Sequence, residues 1–167
     1  MPDDGAMLAA RSSAALKAGI AGAVGMALLL LIRLVPVPLV TCLVVPGFPL
    51  ILGSTGVLAG ILAGDSIQTG GQATQVGAFA GFSSGVGGGI TAMVLAAFGL
   101  MFTDLGIGVQ QQFSAAQLRD LAQSGITPEL IQQVGSVLWA LLVCGAGGIA
   151  AGAFMGALGG RIYFRLR

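Results

Sequence analysis

The stretch "GFSSG", residues 81 to 85, has the spacing of a nucleophile elbow, in which a serine between two glycines attacks an acyl group. That chemistry needs a strand-to-helix turn and a histidine to take the proton. The surrounding residues read as helix, and the 167-residue chain contains no histidine. Ser83 and Ser84 therefore read as interhelical hydrogen-bond donors. None of the glycine-rich stretches is followed by the lysine of a phosphate-binding loop. Cys42 and Cys144 stand far apart, outside any C-x-x-C spacing, and read as small apolar packing residues. Without histidine, the commonest ligand for heme iron, zinc or chlorophyll-type magnesium is missing. These residues predict no catalytic, cofactor or metal site, and hence a protein that is not an enzyme.

Two charges remain as functional candidates. Arg33 closes the first apolar run, and an intramembrane charge is by default a functional hypothesis. Three readings stand side by side: its long side chain snorkels to the headgroups, it pairs with Asp104, or it serves transport. Asp65 and Asp104 each read as the termination of an apolar helix.

The elements that would position these residues follow from composition. Hydrophobic residues make up 56% of the chain and charged residues 8%, against about 25% charged in a soluble domain. So few charges cannot cover a water-facing surface, and the pattern predicts an all-α integral membrane four-helix bundle. A net charge of +1 without a basic run excludes a nucleic-acid partner. Spans are predicted at about 14–34, 48–64, 75–102 and 128–163. The first is read as a retained span rather than a signal peptide, because no A-x-A-like cleavage site follows Arg33. Pro36, Pro38, Pro46 and Pro49 predict that residues 35 to 47 form a broken apolar connection, holding at most a short turn of helix. Residues 103 to 129 form the only long polar loop. Within it Ser114 and Gln117 have capping-box spacing and Gly125 supplies a stop, which predicts a short amphipathic surface helix over about 114–124. Thr127, Pro128 and Glu129 open the last span. Arg11, Lys17, Arg161, Arg165 and Arg167 fall on one side and Arg33 and Arg119 on the other, so both termini are expected in the cytoplasm.

Glycine recurs every fourth residue along three of the spans: Gly56, Gly60 and Gly64; Gly77, Gly81, Gly85 and Gly89; Gly148, Gly152, Gly156 and Gly160. A weaker stripe in the first span joins Ala15, Gly19 and Ala23. Small residues let helix backbones approach closely in lipid, where the hydrophobic effect does not press helices together. The stripes therefore predict glycine-zipper packing. Because neighbouring spans run in opposite directions, the small-residue zones all fall toward the cytoplasmic side. The outer half should then be splayed around a cavity lined by Leu34, Phe98 and Trp139.

The segments "GVLAGILAGD", "VGAFAGFSSGVGGG" and "GAFMGALGGR" give the chain a resemblance to a group of small uncharacterised glycine-rich four-span membrane proteins of bacteria and archaea. It implies a location in a bacterial or archaeal cytoplasmic membrane and no activity. The expected role is that of a structural or accessory membrane protein, in contact with membrane lipid and assembled as a homo-oligomer or as a subunit of a larger membrane complex. The alternative is a small oligomeric channel or transporter.

Overall fold

The computed structural model describes residues 4–32, 38–101 and 103–167. Their elements are α1 (Asp4–Ile32), α2 (Pro38–Ala63), a single 3₁₀ turn (Gly64–Ser66), α3 (Gly70–Ala97), α4 (Thr103–Gln110), α5 (Ala115–Gln123), α6 (Pro128–Trp139), a π-helical segment (Ala140–Gly147) and α7 (Gly148–Leu166). There is no strand among the described residues. Four stretches are long and apolar enough to cross a membrane: Gly5–Ile32, Pro46–Ser66, Gly70–Ala97 and the run of 39 residues Pro128–Leu166. At a rise of 1.5 Å per residue that last run spans roughly 58 Å, well beyond a hydrocarbon core of about 30 Å.

α2 corrects the expected proline-rich connection. Helix continues from Pro38 to Ala63 with Pro46 and Pro49 inside it. Pro38 sits in the first turn, where a missing N–H costs nothing. The two interior prolines each remove one backbone bond. Tertiary packing outweighs that local loss, because α2 lies against α1, α3 and α7. Between the two interior prolines Gly47 meets the end of Leu29, 3.0 Å from where a Cβ would stand. α1 also begins earlier than the apolar run predicts, at Asp4, and carries Arg11 one turn clear of its alanine face.

Caps set the other boundaries. Thr69 accepts from the Gln72 N–H at 3.3 Å and opens α3 through a capping box. Ser114 does the same for α5 with Gln117, and Gly125, at φ +83°, closes it. Thr127 caps α6 ahead of Pro128. Inside the expected polar loop the chain forms α4, an element absent from the sequence reading, which packs on α6.

The bundle is dressed unequally along its length. At the end that holds the chain termini, the core is largely alanine: Ala14, Ala18, Ala59, Ala73 and Ala80, with Phe164 against it. At the opposite end the core is built from Leu30, Leu95 and Met101, with Phe48, Met93 and Val137 around it.

Candidate functional site

α3 makes its most extensive contact with α7. Down this seam glycine meets glycine. A Cβ on Gly77 would fall on the carbonyl of Gly156, and one on Gly81 would fall on that of Gly152. One on Gly85 would stand 2.7 Å from the Gly148 carbonyl oxygen, and one on Gly89 would stand 3.1 Å from the Cα of Gly145. Gly160 faces the Ala73 carbonyl in the same way. The second seam, between α2 and α7, sets Gly56 on the carbonyl of Gly156 and Gly159 on that of Gly53. Gly60 makes room for the ring of Tyr163. Gly53, Gly145 and Gly159 belong to these contacts although they lie off the four-residue repeats.

Gly64 does not. Its surroundings are open, and its φ of +48° ends α2. Glycine is needed there for the backbone conformation, which side-chain-bearing residues rarely adopt, and not for packing.

The third seam joins α1, α2 and α3. Gly19 faces Ser83, and a Cβ on Gly22 would stand 2.5 Å from both the Ser84 Oγ and the Thr55 Oγ1. The serines do not bridge helices as expected. The Ser83 hydroxyl donates within its own helix, to the carbonyls of Phe79 (3.1 Å) and Ala80 (2.9 Å). Ser84 Oγ is fully buried and has no hydrogen-bond partner among the described residues. The Ser83 hydroxyl thus takes the acceptors of its own preceding turn rather than one across the seam.

At the bundle end that carries the termini, two arginines reach the α2–α3 turn. Arg11 Nε donates to the Ser66 carbonyl at 2.7 Å. Arg167 donates to the Gly64 carbonyl at 2.9 Å and pairs with the Asp65 carboxylate. Both chain ends are thereby tied to the α2–α3 turn. Asp65 is an exposed partner for the last residue of the chain, a role that its position at a helix end did not signal. Arg33 lies outside the described residues, and Asp104 is exposed in the first turn of α4.

The sequence pattern places an outer cavity at Leu34, Phe98 and Trp139. Leu34 lies outside the described residues. Phe98 is 76% exposed at the C-terminal end of α3, and Trp139 is 37% exposed. A half-open cavity of about 370 Å³ is bordered by α1, α2, α3 and the turn after it, the π-helical segment and α7, with Met26, Leu30, Leu52, Met101, Cys144 and Met155 in its wall. It lies beyond the alanine core, toward the end remote from the termini. The π segment is the local cause. Its wider turn interrupts the α-helical register between α6 and α7, and Val143, Cys144 and Gly147 from it line the cavity. Beyond the cavity, Gln133 Nε2 donates to the Ala97 carbonyl at 2.7 Å and so ties α6 to the last turn of α3. Gly106 brings α4 against the Gln132 carbonyl and the Ser136 hydroxyl.

No group of three or more His, Cys, Asp and Glu side chains is placed to hold a metal among the described residues. The buried polar side chains among them are Thr55, Ser84 and Ser136, all hydroxyls. Among the described residues the arrangement is that of an all-helical bundle with four long apolar helices, packed through small residues, with a half-open cavity against its π segment. The chain matches no protein-family model, no curated protein and no solved structure.

Proposed function

We propose that the chain is an integral membrane protein with a structural or accessory role, packed through its small-residue seams and assembled with copies of itself or with a larger membrane complex. The observation that carries this reading is the inverted dressing of the helices. Most of their buried positions are glycine, alanine and serine, while many large apolar side chains point outward: Leu16 and Ile20 on α1, Leu50 on α2, Phe79 and Ile90 on α3, Phe154 on α7. A helix bundle that is apolar over its whole outside suits hydrocarbon and not water. Its termini lie together at one end, and the excess of Lys and Arg there supports a cytoplasmic location for both.

Association is supported by the same outward faces, which present Phe79, Phe82 and Phe154 beyond what the bundle itself buries. The test is extraction of the full chain from its own membranes into nanodiscs without denaturing detergent, followed by native mass spectrometry. The chain should resist alkaline carbonate extraction and should appear in a species heavier than one copy. A stoichiometric larger partner supports the accessory role. A pure homo-oligomer that conducts ions in planar bilayers would replace it with the channel reading. Release by carbonate, or a monomer throughout, overturns the proposal.

A further inference from the structure

The chain has six methionines and two cysteines. Three of those methionines, Met26, Met101 and Met155, and one cysteine, Cys144, line the cavity beside the π segment. They come from four separate parts of the chain: α1, the turn after α3, the π segment and α7. Only the tertiary fold collects them. The remaining wall is apolar side chain and glycine, including Leu30, Phe48 and Leu52, with no carboxylate, amide or imidazole.

We propose that this cavity binds a soft monovalent metal ion, of the class of Cu(I) and Ag(I), through the thioether sulfurs of Met26, Met101 and Met155 and the sulfur of Cys144. Thioether and thiolate sulfur select Cu(I), whereas magnesium, calcium and manganese take oxygen ligands that this wall does not offer. Lack of histidine argues against heme, zinc and magnesium-pigment sites but not against a site made of sulfur. The charge balance also suits the surroundings. When the ion binds, a metal–sulfur bond forms at Cys144 and its thiol proton leaves to solvent, so a +1 ion and a thiolate make a neutral unit. A neutral unit avoids the large cost of an unpaired charge among apolar side chains. No electron is transferred, and the metal enters and remains monovalent. The cavity is larger than one ion, but methionine has three rotatable bonds and a polarisable sulfur, which lets the thioethers converge. Met26 and Met101 are 3% and 8% exposed, so bound metal would be shielded from solvent on those sides. The proposal goes beyond the structural or accessory reading and does not depend on it, because it concerns the inside of one chain.

The experiment is a Cu(I) titration of the purified full-length protein in detergent under anaerobic conditions, against a chromogenic Cu(I) chelator. One equivalent per chain should bind, with sulfur as the neighbouring atom by X-ray absorption. The triple variant Met26→Leu/Met101→Leu/Met155→Leu conserves volume, which packed interiors tolerate. It should bind at least about 100-fold more weakly, since even outer-shell partners of metal ligands are worth about 10–100-fold. Met26→Leu and Met155→Leu singly should each weaken binding by about 10-fold or more on the same scale, and they serve if the triple variant does not fold. Met7→Leu and Met93→Leu should bind as the parent does. Absence of stoichiometric Cu(I) overturns the proposal, as does binding that depends on Cys144 alone and survives every methionine replacement.

Discussion

One methyl group at Gly81 sets the packing of α3 on α7 against the helical propensity of the substituted residue. An alanine Cβ there would fall on the Gly152 carbonyl oxygen and 3.1 Å from the Cα of Gly156. Both obstacles are backbone, so neither can turn aside. A carbon comes no closer than about 3.3 Å to a carbonyl oxygen even in a favourable contact, so the helices must separate by something on the order of 1 Å. Overpacking of this kind costs about 1–3 kcal/mol, and the higher propensity of alanine returns at most about 1 kcal/mol. Gly53→Ala is the opposite case. A Cβ on Gly53 meets nothing within 4 Å, so only the propensity gain remains. For a chain of this size 1 kcal/mol moves the melting temperature by about 2–4 °C. Gly81→Ala should therefore melt several degrees below the parent, and Gly53→Ala at or slightly above it. Gly81→Leu should yield no stable detergent-solubilised fold. Phe79→Leu, at a position 52% exposed on another face, should be tolerated. The assay is thermal unfolding in one detergent, followed by circular dichroism and by loss of the monodisperse peak on size exclusion. If Gly81→Ala melts at or above the parent, or if Gly53→Ala falls as far as Gly81→Ala, close backbone approach is not what holds α3 to α7.

Three further outcomes are expected. Single cysteines introduced at 5 and 166, with Cys42 and Cys144 replaced by alanine, should stay unlabelled by an impermeant maleimide in intact cells and react once the cells are opened; labelling from outside at either position refutes the cytoplasmic placement. Gly106→Ala should free α4 from the Gln132 carbonyl and Ser136, seen as faster hydrogen exchange confined to residues 103–110; unchanged exchange there would mean that α4 is held by other contacts. Because the Asp65 carboxylate is almost wholly exposed, Asp65→Asn should leave the melting temperature within about 2 °C of the parent, and a larger fall would show that the pair closes the bundle rather than decorating it.

Much of the local structure was legible because its causes lie within a few residues. The capping box at Ser114, the stop at Gly125 and the apolar runs of α1 and α3 follow from side-chain-to-backbone bonds and from composition over one or two turns. The four-residue spacing of Gly77, Gly81, Gly85 and Gly89 marks one face of a helix whatever that face meets. The spacing misleads at Gly64, where glycine serves a positive φ and the repeat is accidental to packing.

The partners across each seam were decided only by the tertiary structure. The sequence by itself determined an all-helical chain with four long apolar segments, because hydrophobic content and propensity act along the chain. It did not determine that α2 runs through Pro46 and Pro49, because the local cost of proline is set against contacts with α1, α3 and α7 that no neighbouring residue announces. Nor did it place the π segment at Ala140–Gly147, an apolar run that reads as ordinary membrane helix. The cavity follows from both. It is lined by Met26, Met101, Cys144 and Met155, far apart in sequence. A void is the space left where several helices meet, and its lining depends on the relative rotation of all of them, which only the folded packing sets.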